Sequence, residues 1–287
     1  MEKIKTVGVN NRQQQQQLQD QMIKENMAKI KHKIVIMSGK GGVGKSTVST
    51  SLAFELAKKG RKVGILDTDI HGPSLGKMLG IEGKFIMPSE KENMLIPIEA
   101  YGIKIVTMAS LLQDSDAPVI WRGPLKMGAI KQFLGEIEWG ELDYLIIDSP
   151  PGTGDEPLSV CQLIPEADGS IIVTTPQDVA LIDSRKTVRF SEALKIPVLG
   201  IIENMAGLKC PHCGEPINLF KIGGGEKAAE NMHLTFLGRI PIEPEIVESC
   251  DNGSAYVYDF ADQEAAKSLH EIANKVMETV ENKNVSG

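Results

Sequence analysis

Seven short apolar runs, at residues 34–37, 63–66, 103–106, 144–147, 170–173, 198–202 and 235–237, punctuate the chain between stretches of helical periodicity. They are rich in Ile and Val and apolar on consecutive positions, the pattern of strands buried on both faces. A mostly parallel sheet of about seven strands flanked by helices is therefore predicted, a three-layer α/β fold. After Ser46, the residues Val48, Leu52 and Leu56 share one face, and Lys58, Lys59 and Gly60 form a stop signal. This predicts a helix that begins inside the glycine-rich loop before it. Near the C-terminus Ala265, Leu269, Ile272, Val276 and Val280 make one apolar stripe opposite Glu264, Lys267, Glu271 and Lys275, as in a helix laid on a core. Residues 1–32 differ: they are polar, with five consecutive glutamines at 13–17, then Leu18, Met22, Met27 and Ile30 at near-helical spacing. A flexible or helical extension is expected there, with a single domain over 33–287.

Composition narrows the class. With 287 residues, 41% of them hydrophobic, the chain can bury a large core. No apolar run approaches the ~18 residues of a membrane span, and no secretory signal opens the chain. A soluble, cytoplasmic protein is expected. Its four cysteines are too few for a disulfide framework, and Cys210 and Cys213 form a CxxC pair that points to metal or redox chemistry. A formal net charge of -7 argues against nucleic-acid binding. The C-terminal helix has no arginine or aromatic residue between 269 and 280, which argues against membrane attachment.

The stretch SGKGGVGKST begins at Ser38. Its Gly-x-x-x-x-Gly-Lys-Ser pattern lets backbone N–H groups curl around phosphate oxygens, while a lysine reaches the β and γ phosphates and a hydroxyl ligates Mg²⁺. The nucleotide-binding set is then Gly39, Gly41, Gly42, Val43, Gly44, Lys45, Ser46 and Thr47. Asp148, closing the apolar run at 144–147, is placed to hold Mg²⁺, usually through water, with the glycine-rich segment to Asp155 sensing the γ phosphate; a turn role is the alternative for Asp148 taken alone. Asp67 and Asp69 end the run at 63–66. Asp69, further into its loop, is favoured to orient the attacking water, with Asx turns as the competing reading of both residues.

One lysine, Lys40, exceeds what the loop requires. The form KGGVGK resembles the deviant Walker A motif of the superfamily that includes the nitrogenase iron protein, MinD and ParA. That resemblance implies a nucleotide-sandwich homodimer in which Lys40 crosses to the partner's phosphates, a cation supplied in trans much like an arginine finger. DTDIHGPS (67–74), WRGP (121–124), DSPPGTGD (148–155), ENM (203–205) and CPHCG (210–214) occur in this order, as in the Mrp/ApbC branch of iron-sulfur cluster carrier ATPases. The likeness covers nearly all of the chain after the extension and implies ATP hydrolysis, a [4Fe-4S] cluster and apo iron-sulfur proteins as recipients. It also implies adenine contacts from Asn204, Pro241 and Glu243. For WRGP no chemical role is evident.

Cys210 and Cys213 supply two thiolates, whereas zinc and four-iron sites ordinarily take four. A symmetric dimer supplies the missing pair. A cluster and a structural zinc both fit this spacing, and the resemblance favours the cluster; a redox dithiol would be expected earlier, in a βαβ unit. His212 is expected to face solvent, Cys161 and Cys250 to be small buried apolar residues, and Gly223–Gly225 to be flexible-loop glycines, with an anion site as the alternative. A MinD- or ParA-type positioning ATPase with structural zinc is the competing function.

Overall fold

The computed structural model describes residues 2–69, 74–111, 123–210, 212–217 and 219–283. Parts of three motifs, at 70–73, at 121–122 and at Pro211, lie outside them. The strands are β1 (Ile30–Met37), β2 (Val63–Asp67), β3 (Met87–Pro88), β4 (Leu95–Ile96), β5 (Ile98–Ala100), β6 (Ile103–Val106), β7 (Leu142–Asp148), β8 (Gly169–Thr174), β9 (Val198–Glu203), β10 (Leu208–Lys209), β11 (Pro216–Ile217) and β12 (Phe236–Arg239). The helices are α1 (Glu2–Met27), α2 (Lys45–Lys58), α3 (Leu75–Met78), α4 (Gly123–Gly135), α5 (Asp155–Leu163), α6 (Asp178–Ala193), α7 (Gly224–Asn231), α8 (Pro244–Asn252), α9 (Tyr256–Asp259) and α10 (Glu264–Lys283).

Eight strands form the central sheet in the order β12-β9-β8-β1-β7-β2-β6-β5. Seven run parallel and correspond to the seven apolar runs; the eighth, β5, is an antiparallel edge paired with β6. Residues on β1 alternate between two cores. Ile34 and Ile36 join the cluster that includes Leu52 and Leu56 of α2 and Leu269 and Ile272 of α10, whereas Val35 and Met37 join Phe133 of α4, Val160 of α5 and Val188 of α6. Helices cover both faces of a sheet that neither face leaves exposed, which is why its strands read as continuous apolar runs. The chain adds β2 and β6 on one side of β1, inserts β7 between β1 and β2, and then builds outward from β8 on the other side. This reversal opens a crevice at the C-terminal ends of the strands, where ligands bind in such folds. Among the described residues no helix is long and apolar enough to cross a membrane.

The N-terminal segment is one helix, α1, and its last two turns belong to the core. Ile23 and Met27 are buried beside Phe133 and Leu134 of α4, and Asn26 Nδ2 donates to the Leu134 and Ile137 carbonyls at 2.9 and 2.8 Å. Packing thus extends N-terminal to residue 33, and the boundary expected at 32 falls inside β1. Leu18, by contrast, is 61% exposed. Asn26→Ala removes a buried donor from two carbonyls, and a loss of about 1–3 kcal/mol in a urea titration is expected, together with faster proteolysis ahead of residue 30.

Candidate functional site

The phosphate loop is built where β1 leaves the sheet. Gly42 and Gly44 have φ of +76° and +80°, conformations that favour glycine, and the second caps α2. A Cβ on Gly44 would fall on the Asn204 side-chain amide, while one on Gly41 or Gly42 would meet open space. The loop is therefore closed beneath and open above, towards a cleft of about 240 Å³ whose walls include Lys40, Lys45, Ser46, Thr47, Asp69 and Pro151. Gly39 lies against the backbone of Asp183 on α6. Lys40 is half-buried at the cleft, and no carboxylate pairs with its ammonium among the described residues.

Asp148 organises the cleft floor. Its register opposite Ile36 on β1 and Asp67 on β2 puts its carboxylate beneath the first turn of α2. There it accepts from Lys45 Nζ at 2.8 Å, Ser46 Oγ at 2.7 Å and Ser49 Oγ at 2.7 Å, and Lys45 and Asp148 are 6% and 0% exposed. Thr68 Oγ1 donates to the Asp148 carbonyl at 2.8 Å and ties the β2 and β7 ends together.

Asp67, wholly buried, is the less comfortable neighbour. Its Oδ1 accepts from the Asp69 N–H at 2.9 Å, but Oδ2 has no partner among the described residues. Burial, then the charge of Asp148, pushes its carboxyl well above the usual range. Two adjacent buried carboxylates, one oxygen of them unsatisfied, beside a serine hydroxyl make a hard-oxygen set that fits magnesium. Asp69 lies above, in the cleft wall. Asp67→Asn replaces a buried carboxyl that is costly to ionise, so the nucleotide-free protein is expected to gain on the order of 1 kcal/mol while Mg-dependent nucleotide affinity falls. Thermal melts with and without Mg-nucleotide test this; a variant whose nucleotide-induced shift equals that of the native protein contradicts it.

Cys210 and Cys213 sit at the tip of the β10–β11 hairpin. Cys210 N donates to Glu215 O and Gly214 N to Cys210 O, both at 2.9 Å, and Gly214 turns with φ +75°. The N–H groups of Cys213 and His212 point back to Cys210 Sγ and, with the Cys213 thiol, hold its pKa below the ordinary thiol value. Cys213 and His212 are exposed and Cys210 is half-buried. The pair is thus a surface knuckle with one activated sulfur. No cluster of three or more His, Cys, Asp or Glu suited to a metal occurs among the described residues.

Residues 29–277 match the model of the family described as the NUBPL iron-transfer P-loop NTPase. This chain belongs to that family. It is 51% identical, over 92% of its length and 90% of the relative's, to an iron-sulfur cluster carrier protein of Methanocaldococcus jannaschii. It is 47% identical to a cytosolic Fe-S cluster assembly factor NUBP2 homolog of Dictyostelium discoideum, over 85% of this chain and 93% of that one. A nucleotide-binding protein from Archaeoglobus fulgidus, solved in complex with ADP, superposes with a TM-score of 0.74 at 42% identity, covering 83% of this chain and 93% of the other.

The three residues expected to contact adenine lie beyond the cleft walls described above. Asn204 follows β9, and its Nδ2 donates to the Val43 carbonyl of the phosphate loop at 2.9 Å. Residues 204–207 run beside 240–242 through Ala206 N to Ile240 O and Ile242 N to Gly207 O, so Asn204 and Pro241 share one edge. The Glu243 carboxylate is engaged elsewhere, by the Tyr256 hydroxyl and by Ala265 N–H at 2.9 Å. It staples α8 to α9 and α10, and only its backbone is left for a nucleotide.

Among the other residues singled out in the sequence, Cys250 and the glycines at 224 and 225 depart from the reading. Cys161 is buried, its thiol pushed up to about 12, whereas Cys250 is half-buried and hydrogen-bonded to the Thr47 side chain. Gly224 and Gly225 are close-packing residues: a Cβ on Gly224 would lie 2.5 Å from the Pro176 carbonyl oxygen, and one on Gly225 would lie 2.9 Å from Glu203 Cβ. Ser49 went unread because its function here depends only on standing one helical turn after Lys45, above Asp148.

Proposed function

We propose that two copies of this chain hold one [4Fe-4S] cluster between their Cys210 and Cys213 thiolates, and that ATP binding and hydrolysis at the phosphate loops govern its delivery to apo iron-sulfur proteins. The observation that carries this reading is the exposed knuckle with an activated Cys210 sulfur, joined in one chain to a phosphate loop carrying the extra Lys40. Two thiolates from each chain give the four a cluster takes. The names of the Methanocaldococcus and Dictyostelium relatives support the cargo, and the ADP-bound Archaeoglobus structure supports the nucleotide. They favour this function over a positioning ATPase, and the second supports a cytoplasmic location.

In this reading the loop N–H groups and Lys45 bind the phosphates, Asn204 and the backbone near Pro241 and Glu243 face the adenine, and Asp69 orients the attacking water. Ser46 and Asp148, with Asp67 beside them, would hold magnesium, which neutralises phosphate charge. Lys40 reaches the partner's phosphates, so nucleotide binding and dimer geometry are linked. Delivery is ligand exchange without redox change: each iron–sulfur bond to Cys210 or Cys213 breaks as one to a recipient thiolate forms, and the recipient's thiol proton is released as the carrier thiolate takes one up.

The test is transfer from the anaerobically reconstituted protein to an apo-ferredoxin, followed by recipient absorbance. Transfer that needs Cys210 and Cys213 and responds to MgATP is expected. Full transfer by the double Cys→Ser variant overturns the reading.

A further inference from the structure

The hairpin bearing Cys210 and Cys213 hangs from two roots, residues 204–207 leaving β9 and Gly223–Gly225 entering α7. Both roots meet at Glu203, the last residue of β9, whose side chain is wholly buried. Glu203 Oε1 accepts from Gly223 N at 3.0 Å and from Arg239 Nε at 2.8 Å, and Oε2 accepts from Gly225 N. Arg239 also holds Glu226 at 3.0 Å, which fastens the first turn of α7 from outside. The glycines at 224 and 225 are packed so closely against Pro176 and Glu203 that no side chain fits between them.

The next residue faces the other way. Asn204 Nδ2 grips the Val43 carbonyl in the phosphate loop, and Asn204 N is fixed to Thr174 O at 2.8 Å. Met205, with φ +57°, adopts a left-handed conformation that a bulky side chain adopts only under constraint. This turn lets Asn204 reach back to the loop while the chain continues through Gly207 (φ +87°) into the hairpin. Gly207 is close-packed too: a Cβ there would lie 3.1 Å from Ile222 Cδ1 on the segment that returns to α7.

We infer that Glu203 is a positioning residue that couples the nucleotide loop to the cysteine pair, a role that rests on the reading of that pair as the cluster site. Adjacent residues of one strand end are bonded in opposite directions, one to the loop that holds phosphate and one to both roots of the hairpin. A shift of the Val43 carbonyl on phosphate entry is carried by Asn204 to the β9 end. The charge-assisted bonds of Glu203 pass it to the hairpin instead of letting the chain absorb it, because a buried, fully bonded carboxylate is stiff. The hairpin tip is exposed and lightly packed, so a small movement at its roots changes how two facing knuckles fit one cluster.

The experiment uses the full-length, cluster-loaded protein under anaerobic conditions with excess ferrous chelator, following decay of the visible cluster band with and without MgATP. On the order of a fivefold or larger difference between the two rates is expected for the native sequence, falling to about one in Glu203→Gln, with ATP hydrolysis within about twofold of native. Arg239→Gln leaves the carboxylate and its glycine contacts in place, and an intermediate ratio is expected; it also serves if Glu203→Gln does not fold. A merely structural role would lower stability without moving the ratio. Variants that keep the native ratio overturn the inference, as does a native protein whose cluster decays at one rate in both conditions. A native protein that takes up no cluster overturns the carrier reading itself, a failure seen before any chelator is added.

Discussion

Lys45→Ala is expected to lower ATP hydrolysis by at least about a hundredfold and, unusually for a loop lysine, to cost the nucleotide-free protein about 3 kcal/mol or more. The first effect follows from losing the cation that meets the β and γ phosphates. The second follows from burial. Lys45 Nζ stands 2.8 Å from Asp148 Oδ1 in a site where both residues are almost inaccessible, and Asp67 lies directly across the strand pair with one oxygen unsatisfied among the described residues. Without the ammonium, two neighbouring carboxylates share a buried pocket whose remaining donors are the Ser46 and Ser49 hydroxyls and the Asp69 N–H, all neutral. One of them must then take up a proton or force the strand ends apart. Urea titrations of Lys45→Ala, Asp67→Asn and the double variant measure this directly. The double variant should recover part of the loss, giving a coupling well outside the ~0.5 kcal/mol expected of independent sites. Strict additivity would mean that Lys45 does not hold these charges together.

The cysteine variants should show the reverse profile. Cys210→Ser and Cys213→Ser, singly or together, are expected to abolish cluster uptake, while nucleotide affinity and stability stay close to native, with changes below ~0.5 kcal/mol. The hairpin is two short strands joined to each other and attached beside the central sheet, and Cys213 is exposed, so neither sulfur fills a core position. Serine keeps the size of the side chain but offers a hydroxyl that does not ionise near neutral pH and does not match a thiolate as an iron ligand. Iron and sulfide content after reconstitution, with calorimetric ADP titration on the same samples, separates the two functions. A serine variant that retains the cluster would place it elsewhere; one that loses nucleotide binding would make the hairpin part of the fold.

The parallel strands could be read in advance because burial on both faces demands runs such as the one ending at Asp148, whose residues 144–147 are all wholly buried. The phosphate loop could be read because its chemistry is local: glycine torsions, a lysine and a hydroxyl lie within one turn. What escaped depends on partners far along the chain. β5 is three residues with only Ile98 buried, too short for any pattern, and exists because β6 offers an edge. In α1 the spacing of Leu18, Met22 and Met27 suggested one face, but among its described side chains the buried ones are Ile23, Asn26 and Met27, selected by α4. Asp69 was favoured over Asp67 on loop position alone. The register with Asp148, 81 residues on and invisible in sequence, makes Asp67 the buried neighbour of the Lys45–Asp148 pair. Gly223–Gly225 read as flexible because three glycines look alike until Pro176 and Glu203 are brought against the second and third.

The shared site is the claim on which the rest depends, and native mass measurement of the anaerobically reconstituted protein tests it most directly. The account predicts a dimer carrying about four irons and four sulfides per two chains, with a broad absorption band near ~400 nm, and loss of all three in Cys210→Ser. One zinc per two chains without the band, or a complete cluster on a monomer, would contradict it.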